Sequence, residues 1–467
     1  MRKSNFVRLG MASVAVLAMT WTASGAGQAA LGACAAGPAV KVPDAAHSTV
    51  PLRGCDNAPG HSRGIDRVGR NRNITHKTGA QSETSIAVDP TNPNHMYAAS
   101  NDLANFSTYN GIYESFDRGL TWASAGLTIN TFCYDPWLDF NAAGDIFFAY
   151  ECSDQRIAYK LHGTNNWVQS GSLPAGSFPD RDQVVTDDNV GSPHFGAVYI
   201  GYDDNGQSNR AHIMISPNGQ GGWVESPGID DTVTTVDVIG NNVAVGNNGD
   251  VYATWENFAS KKIQNDVSHD GGLTWGTDRT VHNFRINTTS FFISIPPQPN
   301  RGVLPMPMTD VAPIGTTFAG RLYVAYFDTD PSTSDTNIYI RRSDDGGATW
   351  SAETKVNDDT THAWQFFPAI SVSPDGTVAL SFYDTRNDPT GKKTDQYISF
   401  STNGGVTWSA NQRITKVQSD ESGAGDPNDY GDYEGGDASV ANWFQAVWTD
   451  SRPTAQNEDM FTASAKL

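Results

Sequence analysis

The chain is a succession of short apolar runs, each broken by a tight turn, and no long stretch places apolar residues at helical spacing. One unit recurs: a first strand, a tight turn, and an apolar second strand ending at or beside an acidic or amide residue. It spans Thr84–Asp102, Asp135–Cys152, Asp182–Asp203, Val236–Glu256, Asp310–Asp328, Pro368–Asp384 and Asp437–Asp450, seven hairpins in all. In the second of these, Tyr134–Phe140 and Ile146–Glu151 read as strands around the turn Asn141–Asp145.

A second pattern, Ser-x-Asp/Asn-x-Gly-x-Thr-Trp, lies beyond four of the hairpins, at Ser115–Trp122, Ser268–Trp275, Ser343–Trp350 and Ser401–Trp408. Its chemistry is that of a turn. The carboxylate of Asp117, Asp270 or Asp345, or the amide oxygen of Asn403, accepts backbone N–H groups, and glycine supplies positive φ. The serine and threonine hydroxyls bond local backbone, and the tryptophan buries its ring against a sheet. Repetition marks these four acceptors as structural. Degenerate copies at Lys160–Trp167 and Ser216–Trp223 bring the tryptophan series to six. The seventh hairpin is followed by a third strand, Met460–Lys466, and Asn73–His76 is the candidate for its fourth. The expected fold is all-β: a single β-propeller of four-stranded antiparallel blades, seven in number, closed by an N-terminal strand and covering residues 72–467.

The first segment is an address. Arg2, Lys3 and Arg8 precede an apolar run, Met11–Trp21, and small residues then suit cleavage near Ala29, so residues 1–29 read as a signal peptide. Leu31–Cys34 also reads as a lipobox, but it lies past the apolar run rather than directly after it, which favours free secretion over a lipid anchor. Residues 30–71 form an extended leader without periodicity, and no later segment is apolar enough to cross a membrane. Four cysteines in an oxidising compartment give two disulfides by default. A hairpin centred between Ala142 and Ala143 sets Cys133 opposite Cys152, leaving Cys34 with Cys55. A net charge of −20 argues against nucleic acid and anionic membrane surfaces as partners.

The four intact boxes are identified as Asp-box, or BNR, repeats, and over Gln81–Leu467 the chain resembles the sialidase superfamily. The resemblance implies boxes on the side away from the active site, six blades as the alternative count, and a secreted, monomeric glycoside hydrolase acting on extracellular glycans or glycoconjugates. It implies no cofactor, although the acidic, glycine-rich segment Asp426–Asp437 also suits a structural calcium ion. Within that segment Tyr433 beside Glu434 is similar to the superfamily's pairing of an attacking tyrosine with an activating glutamate, and Asp182 is the candidate for the separate acid/base aspartate. One departure bears on substrate. Where sialidases carry Arg-Ile-Pro before the first box, this chain has Glu83-Thr-Ser-Ile-Ala-Val.

In a propeller the ends of second strands and the segments leading into inner strands share one face around the channel. A polar group recurring there in every blade is scaffold, and one present in a single blade is a functional candidate. Asp203, Glu256, Asp328, Asp384 and Asp450 recur. Arg386 and Arg452, each two residues beyond such an aspartate, do not, and a pair of guanidinium forks suits a sugar carboxylate unless each pairs with its own aspartate. Further single-copy candidates are Tyr134, Asp135, Asp180, Arg181, His362 and Trp364. The insertion Asn283–Pro307, with Arg285, Phe291, Phe292 and Arg301, reads as a rim or lid. Beside the hydrolase stand a non-catalytic glycan- or protein-binding propeller and a lyase acting on a uronate polymer.

Overall fold

The computed structural model describes residues 68–466 except 104–108, 130, 173–177, 208, 232–236, 287–291, 423–428 and 455–456. The signal segment, most of the leader, Cys34, Cys55, Phe291 and Asp426 lie outside the described residues. Seven four-stranded antiparallel sheets form a ring. Their inner strands are Gln81–Val88, Tyr134–Phe140, Pro179–Thr186, Val238–Val245, Met308–Val311, Gln365–Val372 and Gly436–Asp437, and each packs on the next around the circle until the seventh meets the first. The blades are numbered in that order. No described helix is long and apolar enough to cross a membrane.

Blade 7 explains the count of six tryptophans for seven hairpins. Its fourth strand is Arg72–Asn73, paired to Thr462 and Phe461, so this blade has no turn between third and fourth strands to hold a box. The pairing sits slightly N-terminal to the expected Asn73–His76, with Val68 bridging Ala465. Beyond Ile74 the chain leaves the sheet because the Asn73 side-chain oxygen captures the N–H groups of Thr75 and His76 at 3.0 and 2.9 Å.

The boxes act as turns. In each intact copy the serine oxygen accepts the N–H of the glycine four residues on, at 2.8 to 3.0 Å. Asp117, Asp270 and Asp345 each accept a threonine N–H at 2.8 Å and the same threonine's hydroxyl at 2.6 Å. Asn403 takes the threonine N–H at 2.9 Å and donates to its hydroxyl at 2.8 Å. The box tryptophans of blades 1, 4, 5 and 6 pack on the sheet cores.

An inner strand has only one strand neighbour, so its other edge needs partners. Side chains of the preceding blade supply them. Leu138 N–H donates to Ser85 Oγ at 3.1 Å, Val243 to Gln183 at 2.6 Å, Thr309 to Asn242 at 2.7 Å and Ala438 to Ser371 at 3.0 Å. Asp310 and Asp437 do the same across two further junctions, accepting Val372 N–H and Val88 N–H at 2.6 Å.

Five inner strands also carry a bulge near their start, with left-handed φ at Glu83 (55°), Asp135 (52°), Arg181 (58°), Gly240 (69°) and Phe367 (46°). The bulge in blade 2 corrects the hairpin register. Phe140↔Ile146 through Trp137↔Ala149 centre on Ala143, and the extra residue then restores Tyr134↔Glu151. Cys133 therefore meets Cys152, and the disulfide forms as expected.

Candidate functional site

The bulges position the candidate site. In blades 1 to 3 the bulged residue is charged, and Glu83, Asp135 and Arg181 converge at the channel mouth on the face opposite the boxes. They are linked in series. Asn101 donates to Glu83, Asp135 N–H donates to Asn101 Oδ1 at 2.9 Å, and Arg181 N–H donates to Asp135 Oδ2 at 3.2 Å. The guanidinium of Arg181 then turns away from these acids. It lies 3.9 Å from the ring centre of Tyr433 and 4.8 Å from that of Trp137, with Nη1 donating to Asp182 O at 2.9 Å.

The insertion is a strap across this mouth. Its hairpin, Ile293–Ile295 with Gln298–Val303, reaches from blade 4 to the loop before blade 7, where Gln298 donates to Gly431 O at 2.7 Å. Arg301 holds Asp432 through two of its nitrogens and reaches Glu83 at 3.3 Å. Leu304, Met306 and Met308 continue the strap as an apolar plug against Ile239 and Tyr433.

Beneath Arg301 the mouth is rich in acid. Oxygens of Asp135, Glu151 and Asp180 lie within 4.8 Å of one another. Glu151 is fully buried, and neither of its oxygens has a hydrogen-bond partner; Asp182 and Asp203 each leave one buried oxygen unpartnered. Burial pushes the carboxyls of Glu151, Asp182 and Asp203 well above the ordinary range, and neighbouring carboxylates add to this for each. Burial, then Asp135 and Asp432, pushes Asp180 up to about 7.

Of the residues singled out in the sequence, Tyr134, Asp135, Asp180, Arg181, Asp182 and Tyr433 gather here. Tyr433 is enclosed, with its hydroxyl 3.5 Å from Pro136 O and burial raising its proton affinity. Glu434 is close in sequence but occupied elsewhere, tying blades 6, 7 and 1 together. It accepts from Thr84, Tyr383 and, at 3.0 Å, Thr449 N–H, and burial still pushes it up to about 8. Asp182 is fully buried and takes the Gln155 amide at 2.7 Å.

Arg386 and Arg452 hold separate sets of partners. Arg386 pairs with Asp384, with Asp358 at 2.6 Å and with Asn411 at 2.9 Å. Arg452 pairs with Asp450 and donates to Asn71 at 3.0 Å. Each is held by its own strand-end aspartate, the simpler of the two arrangements its spacing allowed. His362 is three-quarters exposed and its nearest acid is Asp335, 3.8 Å away. Arg285 is engaged by Glu353 at 2.6 Å and Thr329 O at 2.9 Å, on the outer part of blade 5. Glu83, Glu151, Asp432 and Trp137 were not singled out. A cavity of about 360 Å³ lies elsewhere, on the box face between blades 3 and 4, with largely apolar walls that include His194, Phe195, Val224 and Leu273.

Residues 320–422 match the BNR repeat-like domain family. No curated protein sequence matches the chain. Similar solved structures include YCF48 bound to D1 peptide (12% identity, TM-score 0.48, covering 85% of this chain and 95% of that one). Others are a leech intramolecular trans-sialidase complexed with 2,7-anhydro-Neu5Ac (10%, 0.45, 72% and 70%) and a Penicillium chrysogenum alpha-L-arabinanase complexed with arabinobiose (11%, 0.44, 84% and 97%). At such values none of them assigns an activity to this chain. The matched repeat, the four intact boxes and the closed ring of seven blades make the chain a seven-bladed β-propeller that carries BNR repeats.

Proposed function

We propose that this protein is a secreted, monomeric propeller that acts on extracellular glycans as a glycoside hydrolase, with its sugar subsite at the strapped channel mouth. The observation that carries the reading is the convergence of Tyr134, Asp180, Arg301 and Asp432, all partly exposed, from blades 2 and 3, the strap and the blade 7 lead-in. Glycoside hydrolysis canonically uses two carboxyl groups flanking one bond, the tyrosine-dependent sialidases being an exception, and Asp180 and Asp432 approach the same opening from different blades. Asp432, oriented by Arg301, is the carboxyl we assign to proton transfer. The surrounding acids repel anions and Arg301 is engaged by Asp432 and Glu83, so neutral sugars suit the mouth better than sialic or uronic acids.

Glycan binding without turnover is the second reading. It is favoured by the enclosure of Tyr433 and Glu434, which leaves the superfamily's tyrosine–glutamate chemistry no exposed pair at those positions. Aryl glycosides of neutral, uronic and sialic sugars separate the two. Hydrolysis of a neutral glycoside is expected, and Asp432→Asn should lower kcat/KM by about 100-fold or more, the usual scale for a lost proton-transfer group. An Asp432→Asn variant with full activity removes the mouth as the site. A wild-type protein inert on every glycoside, yet retaining glycan in a binding assay, leaves the binding reading.

A further inference from the structure

We infer that Asp135, Glu151 and Asp180 form a binding site for a hard divalent cation of the calcium class, seated at the junction of blades 2 and 3. The inference does not depend on the glycan reading. Three observations carry it. The first is spacing. Oxygens bound to one calcium ion at 2.3–2.6 Å lie at most about 5 Å apart, and one oxygen from each of these residues lies within 4.8 Å of the other two.

The second observation is that Glu151 is 0% exposed with both oxygens unpartnered, while one of them faces Asp135 and Asp180. A buried carboxylate without hydrogen bonds or a counter-charge is strongly disfavoured, so an orphaned carboxylate with one oxygen aimed at two more acids requires something to face.

The third observation is the short supply of counter-charge. None of Asp135, Glu151, Asp180, Asp182 or Asp203 forms an ion pair with a described lysine or arginine. The side chain of Arg181 is spent on Tyr433, Trp137, Met308 Sδ and a backbone carbonyl. Arg301 pairs directly with Asp432 and Glu83 and reaches Asp135 and Asp180 only through its field, so one cation is shared among four acids.

The donor set names the class of ion. The three side chains offer only carboxylate oxygen, without nitrogen or sulfur, which suits calcium, magnesium or manganese rather than zinc or copper. The free oxygens of Asp182 and Asp203 add acceptor capacity around the same carboxylates. The Cys133–Cys152 bond brackets the site, because Asp135 follows one cysteine by two residues and Glu151 directly precedes the other.

The test uses the full mature chain stripped with EDTA and then titrated with calcium chloride. Calorimetry should find one high-affinity ion per chain, and the melting temperature should rise on addition. Glu151→Gln preserves shape while removing one charge, and it should weaken binding on the order of 100-fold, because affinity follows the charge of the ligand set. Asp180→Asn, at the partly exposed edge of the site, should weaken it as well and covers the case in which Glu151→Gln fails to fold. Asp345→Asn, in a box, should leave binding unchanged. Two results overturn the inference. One is a wild-type protein whose melting and heats are unmoved by millimolar calcium, magnesium and manganese, which would mean that protons alone neutralise the cluster. The other is wild-type affinity in a folded Glu151→Gln or Asp180→Asn protein.

Discussion

The two faces of the propeller use acidic side chains in opposite ways. On the box face Asp270 accepts from Thr274 N–H, the Thr274 hydroxyl, Leu273 N–H and the Ser268 hydroxyl. The little burial it has raises its pKa, but those donors outweigh this and bring it down to about 2. At the mouth Glu151 is buried with no donor at all, and burial together with Asp135 and Asp182 drives it well upward. The contrast is one of donor supply rather than residue type. A box builds its own donors into the next four residues, so it can be copied from blade to blade. The mouth draws its groups from separate blades, several of them in a single copy, and leaves several unsatisfied. Satisfied acids hold the fold, and unsatisfied ones are available for a ligand.

The largest expected effect comes from the bond that holds the mouth end of blade 2. Where the boxes rely on hydrogen bonds, the outer edge of the mouth relies on Cys133–Cys152. Replacing both cysteines with serine frees a loop spanning 19 positions, which the chain-entropy picture places at about 3 kcal/mol of stability. Denaturant unfolding checks the value. A loss well under 1 kcal/mol would mean that the bulged register of Asp135 persists without the covalent tie.

A smaller loss is expected from the box serine. Ser268 Oγ is the acceptor for the buried N–H of Gly272 at 2.8 Å. Ser268→Ala strands that donor and should cost about 1–3 kcal/mol, with activity and cation affinity unchanged. A variant of normal stability and altered ligand binding would break the division between the faces.

The same contrast governs what could be read from the sequence. Box chemistry is local, with Ser, Asp or Asn, Gly, Thr and Trp inside eight positions, so four intact copies and the ring they imply are legible without coordinates. Seven hairpins against six tryptophans likewise pointed to a blade closed by the other end of the chain, with the pairing displaced only because Asn73 folds its own turn. The mouth is legible in part. Asp135, Asp180 and Arg181 stand out as single-copy residues leading into inner strands. Glu151 does not, because it occupies the second-strand position that carries Asp203 and Glu256 in the next blades. The bulges are silent, since only Gly240 advertises its positive φ. Glu83, Asp135, Arg181 and Phe367 are held there by neighbouring blades, at roughly 1–2 kcal/mol each. The partners of Arg386 and Arg452 are not legible either, because spacing reveals a guanidinium but not whether its own aspartate, two residues away, holds it.

The smallest effect belongs to the box aspartate itself. Asp270 is only partly buried, and the threonine it holds is exposed, so solvent replaces much of what the carboxylate provides. Asp270→Ala should cost on the order of 1 kcal/mol or less, the low end for a hydrogen bond to a charged group. The sign with pH is fixed by the depressed pKa. In the unfolded chain an aspartate titrates near pH 4, and in the fold Asp270 titrates near 2. Its contribution is therefore complete above about pH 4 and is lost as pH falls from there through about 2. Thermal melts of wild type and Asp270→Ala across that window should differ at neutral pH and converge toward pH 2. A difference that persists unchanged into acid would show that the side chain acts through packing rather than charge. A difference of several kcal/mol would place the box acids in the same buried regime as the mouth and remove the contrast between the two faces.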